Sequence, residues 1–174
     1  MKNAHVPILG FAAPSGTGKT TLLSQLIPQL KEHHIRVGLI KHSHHNFQID
    51  KPGKDSFRLR EAGASPVMLV SSHRRAIITE FEVVQEPKLD EQLGYLDQSC
   101  LDLVLVEGFK AESFPKIELH RPSLELPLLY TDDPSIIAIA SDQALVLTRE
   151  IACLDLNNTP QIAHFILHNF LKIS

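Results

Sequence analysis

The chain has 174 residues, a hydrophobic fraction of 43% and a formal net charge of −3. That suits one domain with a proper core, so residues 1–174 are read as a single domain. The mild acidity argues against a nucleic-acid binder, and no apolar run reaches the roughly 18 residues of a membrane span.

Val6 to Ala13 is an apolar run ahead of a turn cluster, the pattern of a buried strand. With Lys2 before it, the run superficially resembles a signal peptide. It is too brief, however, and a cytoplasmic protein is expected. Thr20 to His34 carries Leu22, Leu23, Leu26, Ile27 and Leu30 at helical spacing, with Pro28 as a kink or early stop. Ile35 to His42 reads as a second strand. His42 to Lys54 is a polar loop broken by Pro52-Gly53, and Asp55 to Ala62 is a short helix ending at Gly63.

Pro66 to Ser71 and Ala76 to Val83 are β-rich and predict a hairpin through Ser72 to Arg75. Leu89 to Leu96 reads as a helix with Asp90 and Glu91 in its first turn. Leu101 to Val106 is a buried strand ending at Glu107-Gly108. Ile117 to His120, Ile136 to Ala140 and Leu154 to Leu156 are further strands, and Pro160 to Leu171 is a closing helix. Glu112 to Asp133 is loop-rich. Alternating strands and helices predict a mostly parallel sheet with helices on both faces, a three-layer α/β sandwich carrying one antiparallel hairpin. Cys100 and Cys153 adjoin apolar runs and are expected to be buried structural thiols.

The densest motif is Ala13-Pro14-Ser15-Gly16-Thr17-Gly18-Lys19-Thr20-Thr21. It matches the P-loop pattern G-x-x-x-x-G-K-[ST] with Ala13 in place of the first glycine, and it has the strand before and helix after that the pattern requires. Glycines let successive backbone N–H groups turn inward around an anion, and the helix start adds unpaired donors. Ser15 to Thr21 are therefore expected to hold the phosphates of a nucleoside triphosphate. Lys19 would reach the β- and γ-phosphates, and the Thr20 hydroxyl would bind Mg²⁺.

A Mg²⁺–nucleotide site usually adds a carboxylate from a second strand end. Glu107 stands where ligand sites on open α/β sheets lie. Asp50, the one acid in the loop after the second strand, is a second candidate for the metal or nucleotide. The same spacing is also that of a solvated loop residue. Ser71 and Arg74 face the nucleotide edge if the strand before them runs parallel to the first; otherwise they form an exposed turn. Asp142, just past a strand, is placed to accept from guanine N1–H and N2–H. His42, His44 and His45 suggest either a metal site or a partner surface. No catalytic residue is assigned.

The phosphate loop, Leu39-Ile-Lys-His-Ser-His-His45, Asp50-Lys-Pro-Gly-Lys-Asp-Ser56 and Leu103-Val-Leu-Val-Glu-Gly-Phe-Lys110 together resemble the MobB family of molybdopterin-guanine dinucleotide biosynthesis adapter proteins. The resemblance runs from about Val6 to Asp142. It implies a P-loop NTPase-like fold, GTP preference, Mg²⁺, weak intrinsic GTP hydrolysis and a homodimer built through the sheets. It further implies work beside the guanylyltransferase that attaches GMP to molybdopterin and other molybdenum-cofactor proteins. By matching position, Gly16, Gly18, Lys19, Thr20 and Thr21 would hold phosphate, Asp50 and Glu107 would serve Mg²⁺, and Ser71 and Arg74 would lie near the nucleotide. Two departures stand out. Asn46 and Gln48 occupy positions that in this family are often acidic, and Arg75 replaces a more apolar residue.

Three functions compete. A GTP-binding adapter with slow hydrolysis fits the short chain, in which no glutamine is evidently placed to orient water. A small-metabolite P-loop kinase would need an acceptor pocket and an arginine-rich lid. A metal-delivery GTPase would use the His42, His44 and His45 loop.

Overall fold

The computed structural model describes residues 1–43 and 46–173. His44, His45 and Ser174 lie outside the described residues. The chain divides into two compact units, one spanning residues 1–42 and 88–174 and the other residues 43–87.

In the larger unit, Ile8–Ala12 (β1) leads through the glycine-rich loop into Lys19–Glu32 (α1), followed by Val37–Lys41 (β2). The smaller unit holds Asp55–Glu61 (α2), Val67–Val70 (β3) and Arg75–Ile78 (β4). The chain returns to the larger unit with Leu89–Tyr95 (α3), Leu103–Glu107 (β5), Lys116–His120 (β6), Ile136–Ser141 (β7), Ala152–Asp155 (β8) and Thr159–His164 (α4). The strands of the larger unit form one six-stranded sheet in the order β2-β5-β1-β6-β7-β8, every neighbouring pair parallel.

β1 and β5 lie inside the sheet with both faces covered, which explains their unbroken apolar runs. On one face Leu9, Phe11, Leu105 and Ile117 pack against Leu22, Leu26 and Leu30 of α1 and Ile162 of α4. On the other, Ile8, Val104 and Val106 pack against Leu89 and Leu93 of α3 and against Phe109 and Phe114. Further along, Tyr130 from the loop-rich segment joins Ile136 and Ile139 in a third cluster. The result is the three-layer sandwich the alternation predicted.

Pro28 does not end α1, which continues to Glu32. It sits on the exposed side of the helix, where water can take the carbonyl its missing N–H leaves free. The helix ends instead through His34, whose φ of 62° lets the amide of Ile35 reach the carbonyl of Leu30 at 3.0 Å.

β6 carries the least expected residues. Ile117 and Leu119 enter the main core, while Lys116, Glu118 and His120 alternate with them and are also buried. The Lys116 ammonium donates to the Glu112 carbonyl, to Asp133 Oδ2 at 2.9 Å and to Ser135 Oγ at 2.8 Å. Glu118 accepts from the amides of Leu129 at 2.7 Å and Tyr130 at 2.8 Å. These buried groups strap the loop-rich segment onto the sheet, so each charge has hydrogen-bond partners in place of water. Burial still pushes the Glu118 carboxyl above the ordinary range, against those two amide donors.

The cysteine expectation fails: Cys100 and Cys153 are both exposed. Cys153 lies on β8, an edge strand with one side open to solvent.

Candidate functional site

Because the six strands are parallel, the segments leaving β2, β5, β1, β6 and β7 emerge at one edge of the sheet. That edge presents His42, Glu107-Gly108, the loop from Ala13 to Lys19, Arg121 and Asp142. It is the C-terminal edge, where open α/β sheets bind ligands.

The loop after β1 has the backbone its glycines permit. Gly16 has φ 81° and Gly18 φ 102°, both left-handed, and Gly18 caps α1. Ala13 replaces the first glycine without strain. The non-glycine residues with positive φ among those described are His34, Phe109, Glu125 and Lys172. The Ala13 methyl is buried in the main core. Thr17 is buried, and its hydroxyl donates back to the Pro14 carbonyl at 3.0 Å, so the side chain braces the loop from within. Ser15, Gly16, Thr20 and Thr21 are exposed.

The Lys19 ammonium folds over the loop and donates to the carbonyls of Ala13 and Pro14, each at 2.9 Å. Burial, with the charges of Lys110 and Lys41, holds its pKa below the ordinary lysine value, and Glu107 opposes them. Cations thus crowd this end of the sheet, which suits a polyanion.

Glu107 ends β5 opposite Lys41 on one side and Phe11 on the other. Its Oε2 lies 3.2 Å from Lys41 Nζ, and its side chain is 13% exposed. The turn behind it is tight: Gly108 has φ 98° and Phe109 φ 52°. Phe109 stacks on His42 at 4.8 Å between ring centroids. A Cβ on Gly108 would lie 2.7 Å from the His42 Cβ. His42 therefore packs against the turn that carries Glu107. The other members of the proposed histidine metal set, His44 and His45, lie outside the described residues. A Mg²⁺ ion would find only oxygen donors in the exposed Thr20 hydroxyl and the Glu107 carboxylate, the chemistry a hard cation takes together with phosphate and water.

Arg121 and Asp142 meet at the same edge. Arg121 donates through Nε to the Thr17 carbonyl at 3.0 Å and through Nη1 to Asp142 Oδ2. The other Asp142 oxygen, Oδ1, is buried with no hydrogen-bond partner among the described residues. Sequence reasoning passed over Arg121, although it follows a strand directly, the same signal that singled out Glu107 and Asp142. It also passed over Lys41, whose partner became visible only with the strand order.

The remaining site candidates belong to the smaller unit. The Asp50 side chain is 3% exposed, and both its oxygens accept from Arg60, at 3.2 and 3.4 Å. Arg60 also holds Glu80 at 2.7 Å. β3 and β4 form their own two-stranded antiparallel sheet. The condition that placed Ser71 and Arg74 at the nucleotide edge, a strand in the main parallel sheet, is therefore not met. The Ser71 hydroxyl accepts from the amides of His73 and Arg74, each at 3.2 Å, and closes the hairpin turn.

The family model for molybdopterin guanine dinucleotide synthesis protein B matches residues 8–142. The chain is 49% identical over 171 residues to the molybdopterin-guanine dinucleotide biosynthesis adapter protein of Haemophilus influenzae, covering 97% of this chain and 93% of that one. It is 48% identical over 168 residues to the protein of the same description from Escherichia coli K12, covering 93% and 92%. A crystal structure of molybdopterin-guanine biosynthesis protein B matches with a TM-score of 0.67 at 25% identity, over 95% of this chain and 99% of that one. A MobB homologue from Bacillus stearothermophilus has the same fold, with a TM-score of 0.69 at 21% identity over 95% and 97%. With more than half the chain inside the family model and two curated relatives aligned nearly end to end, this chain belongs to the MobB family of molybdopterin guanine dinucleotide synthesis proteins.

Proposed function

We propose that this protein is a GTP-binding adapter of molybdenum-cofactor biosynthesis, acting in the cytoplasm beside the guanylyltransferase that attaches GMP to molybdopterin. The observation that carries the reading is the glycine loop feeding α1, with Lys19 and Thr20 at the helix start and Glu107 at a neighbouring strand end. Backbone N–H groups from Ser15 to Thr21 and the Lys19 ammonium would hold the phosphates. Thr20 and Glu107 would hold Mg²⁺, which supplies charge neutralisation at the phosphate oxygens. Asp142 would serve the same nucleotide site.

Asp50, Ser71 and Arg74 stay in the proposal on the strength of the family resemblance. For Asp50 this requires Arg60 to release its carboxylate. With that acid engaged, intrinsic hydrolysis is expected to be slow and to depend on a partner.

The homodimer that the resemblance implies is supported by the exposed apolar residues of the smaller unit. Its sheet has no buried residue on β3 or β4, and Met68, Val70, Ile77, Phe81 and Val84 are exposed. A two-stranded sheet with apolar residues open to water is marginal alone, and a second copy is the simplest cover.

The kinase reading loses its lid: the long irregular segment is tied down through Lys116, Glu118 and Arg121. Calorimetry with GTP and ATP on wild type and Lys19→Ala tests the reading, with and without the guanylyltransferase. Tighter GTP binding that Lys19→Ala abolishes is the expected result. Equal affinity for the two nucleotides would remove the guanine assignment, and unchanged GTP affinity in the variant would remove the phosphate assignment.

A further inference from the structure

Arg121 lies outside the glycine loop in sequence but is bonded to its backbone. It leaves the end of β6, reaches across the edge of the sheet and takes the Thr17 carbonyl at 3.0 Å. Its Nη2 lies 3.7 Å from where a Cβ on Gly18 would be. The guanidinium thus lies against the peptide between Thr17 and Gly18, the last before α1 begins.

A trans peptide points its C=O and N–H in opposite directions. Holding the Thr17 carbonyl on the Arg121 side therefore aims the Gly18 N–H the other way. Gly18 has φ 102°, so this peptide is free of the steric limits that fix an ordinary residue, and its orientation needs an outside anchor. Asp142 supplies the second tie, pairing with Arg121 from the end of β7. A guanidinium held through two of its nitrogens cannot swing.

We propose that Arg121, oriented by Asp142, is a positioning residue of the phosphate site. It turns the Gly18 amide toward the bound phosphate and thereby raises affinity for the triphosphate, whatever the base. This rests on the nucleotide-binding reading above and gives Asp142 a different task from reading guanine. Its Oδ2 is committed to Arg121, so the carboxylate cannot offer both oxygens to the two donors of a guanine edge without sharing that pair.

The test uses the full chain and three ligands: GTP, ATP and inorganic tripolyphosphate, which has no base. Arg121→Ala is expected to weaken all three by about tenfold, the equivalent of ~1.4 kcal/mol, with the GTP-to-ATP ratio unchanged. Asp142→Asn is expected to act in the same direction and less strongly. Arg121→Lys, which keeps one donor and the charge, is expected to recover part of the loss. The Gly18 amide proton, followed by NMR, is expected to move downfield on tripolyphosphate binding in wild type and by less in Arg121→Ala. A general loss of structure would not single out that resonance.

Wild-type affinity and an unaltered Gly18 shift in both Arg121 variants would overturn the proposal. So would an Asp142→Asn protein that loses its preference for GTP while binding tripolyphosphate normally, because Asp142 would then be reading the base. Failure of wild type to bind any of the three ligands would instead sink the nucleotide-binding reading beneath it.

Discussion

Lys41 and Glu107 sit directly across from each other on β2 and β5, and their side chains meet at 3.2 Å beside the glycine loop. The pair keeps a carboxylate where Mg²⁺ is proposed to bind while a lysine offsets its charge. Glu107→Gln removes the charge with little change in shape. Its GTP affinity in EDTA is expected to match wild type or exceed it, because one anion near the phosphates has gone. The gain on adding Mg²⁺ is expected to shrink by about tenfold, as a lost ligand to a hard cation would make it. Paired titrations with Mg²⁺ and with EDTA measure this, and an undiminished Mg²⁺ effect would remove Glu107 from the metal site.

The depressed Lys19 pKa gives nucleotide binding a pH dependence. Burial and the neighbouring lysines favour loss of its proton in the free protein, and bound phosphate favours its retention. Affinity should therefore fall as pH rises through the lowered pKa, earlier than an ordinary lysine would dictate. Proton uptake should accompany binding in that window. Calorimetry in buffers of different ionisation enthalpy detects it, and Lys19→Met should abolish it.

Gly108→Ala places a methyl group 2.7 Å from the His42 Cβ at a residue with φ 98°. Backbone strain and the clash together are expected to cost about 2–3 kcal/mol of unfolding free energy in urea. The variant should also lose part of its Mg²⁺-dependent GTP affinity, because the turn that carries Glu107 must shift.

Lys116 is buried with its ammonium 2.9 Å from Asp133. Lys116→Met keeps most of the packing volume but leaves that carboxylate without its cation. Asp133 is 27% exposed, so water meets part of the loss, and about 2–3 kcal/mol of destabilisation is expected in urea denaturation. A variant as stable as wild type would show that Lys116 is held there by packing alone.

His34 ends α1 with φ 62°. Glycine takes that conformation freely, so His34→Gly is expected to raise stability by about 1 kcal/mol. A shift of the thermal midpoint upward by a few degrees is the readout, and no shift would mean that the imidazole contributes as much as the strain costs.

Much of the fold is legible in the pattern of residues. The apolar runs of β1 and β5, the leucine stripe of α1 and the hairpin of β3 and β4 all appear where periodicity and turn residues put them, within a few positions. Local signals suffice there because each element is shaped by neighbours in sequence. β6 was harder to read. Its Lys-Ile-Glu-Leu-His alternation suggests one open face, yet all five residues are buried, because a segment further along the chain folds over it. Asp50 reads as a free loop carboxylate only until Arg60, ten residues on, takes both its oxygens.

The glycine loop itself needed no tertiary information. Gly16, Gly18, Lys19 and Thr20, between an apolar strand and an amphipathic helix, define an anion-receptive turn by backbone chemistry alone. What surrounds that turn was decided by strand order. Placing β5 between β2 and β1 brings Glu107 to Lys41 and within electrostatic reach of Lys19. Placing β6 and β7 on the far side of β1 lets Arg121 hold Thr17 and Asp142 together. Neighbours in a parallel sheet are chosen by how helices and loops pack across its two faces, over separations of tens to a hundred residues, and no local pattern records that choice.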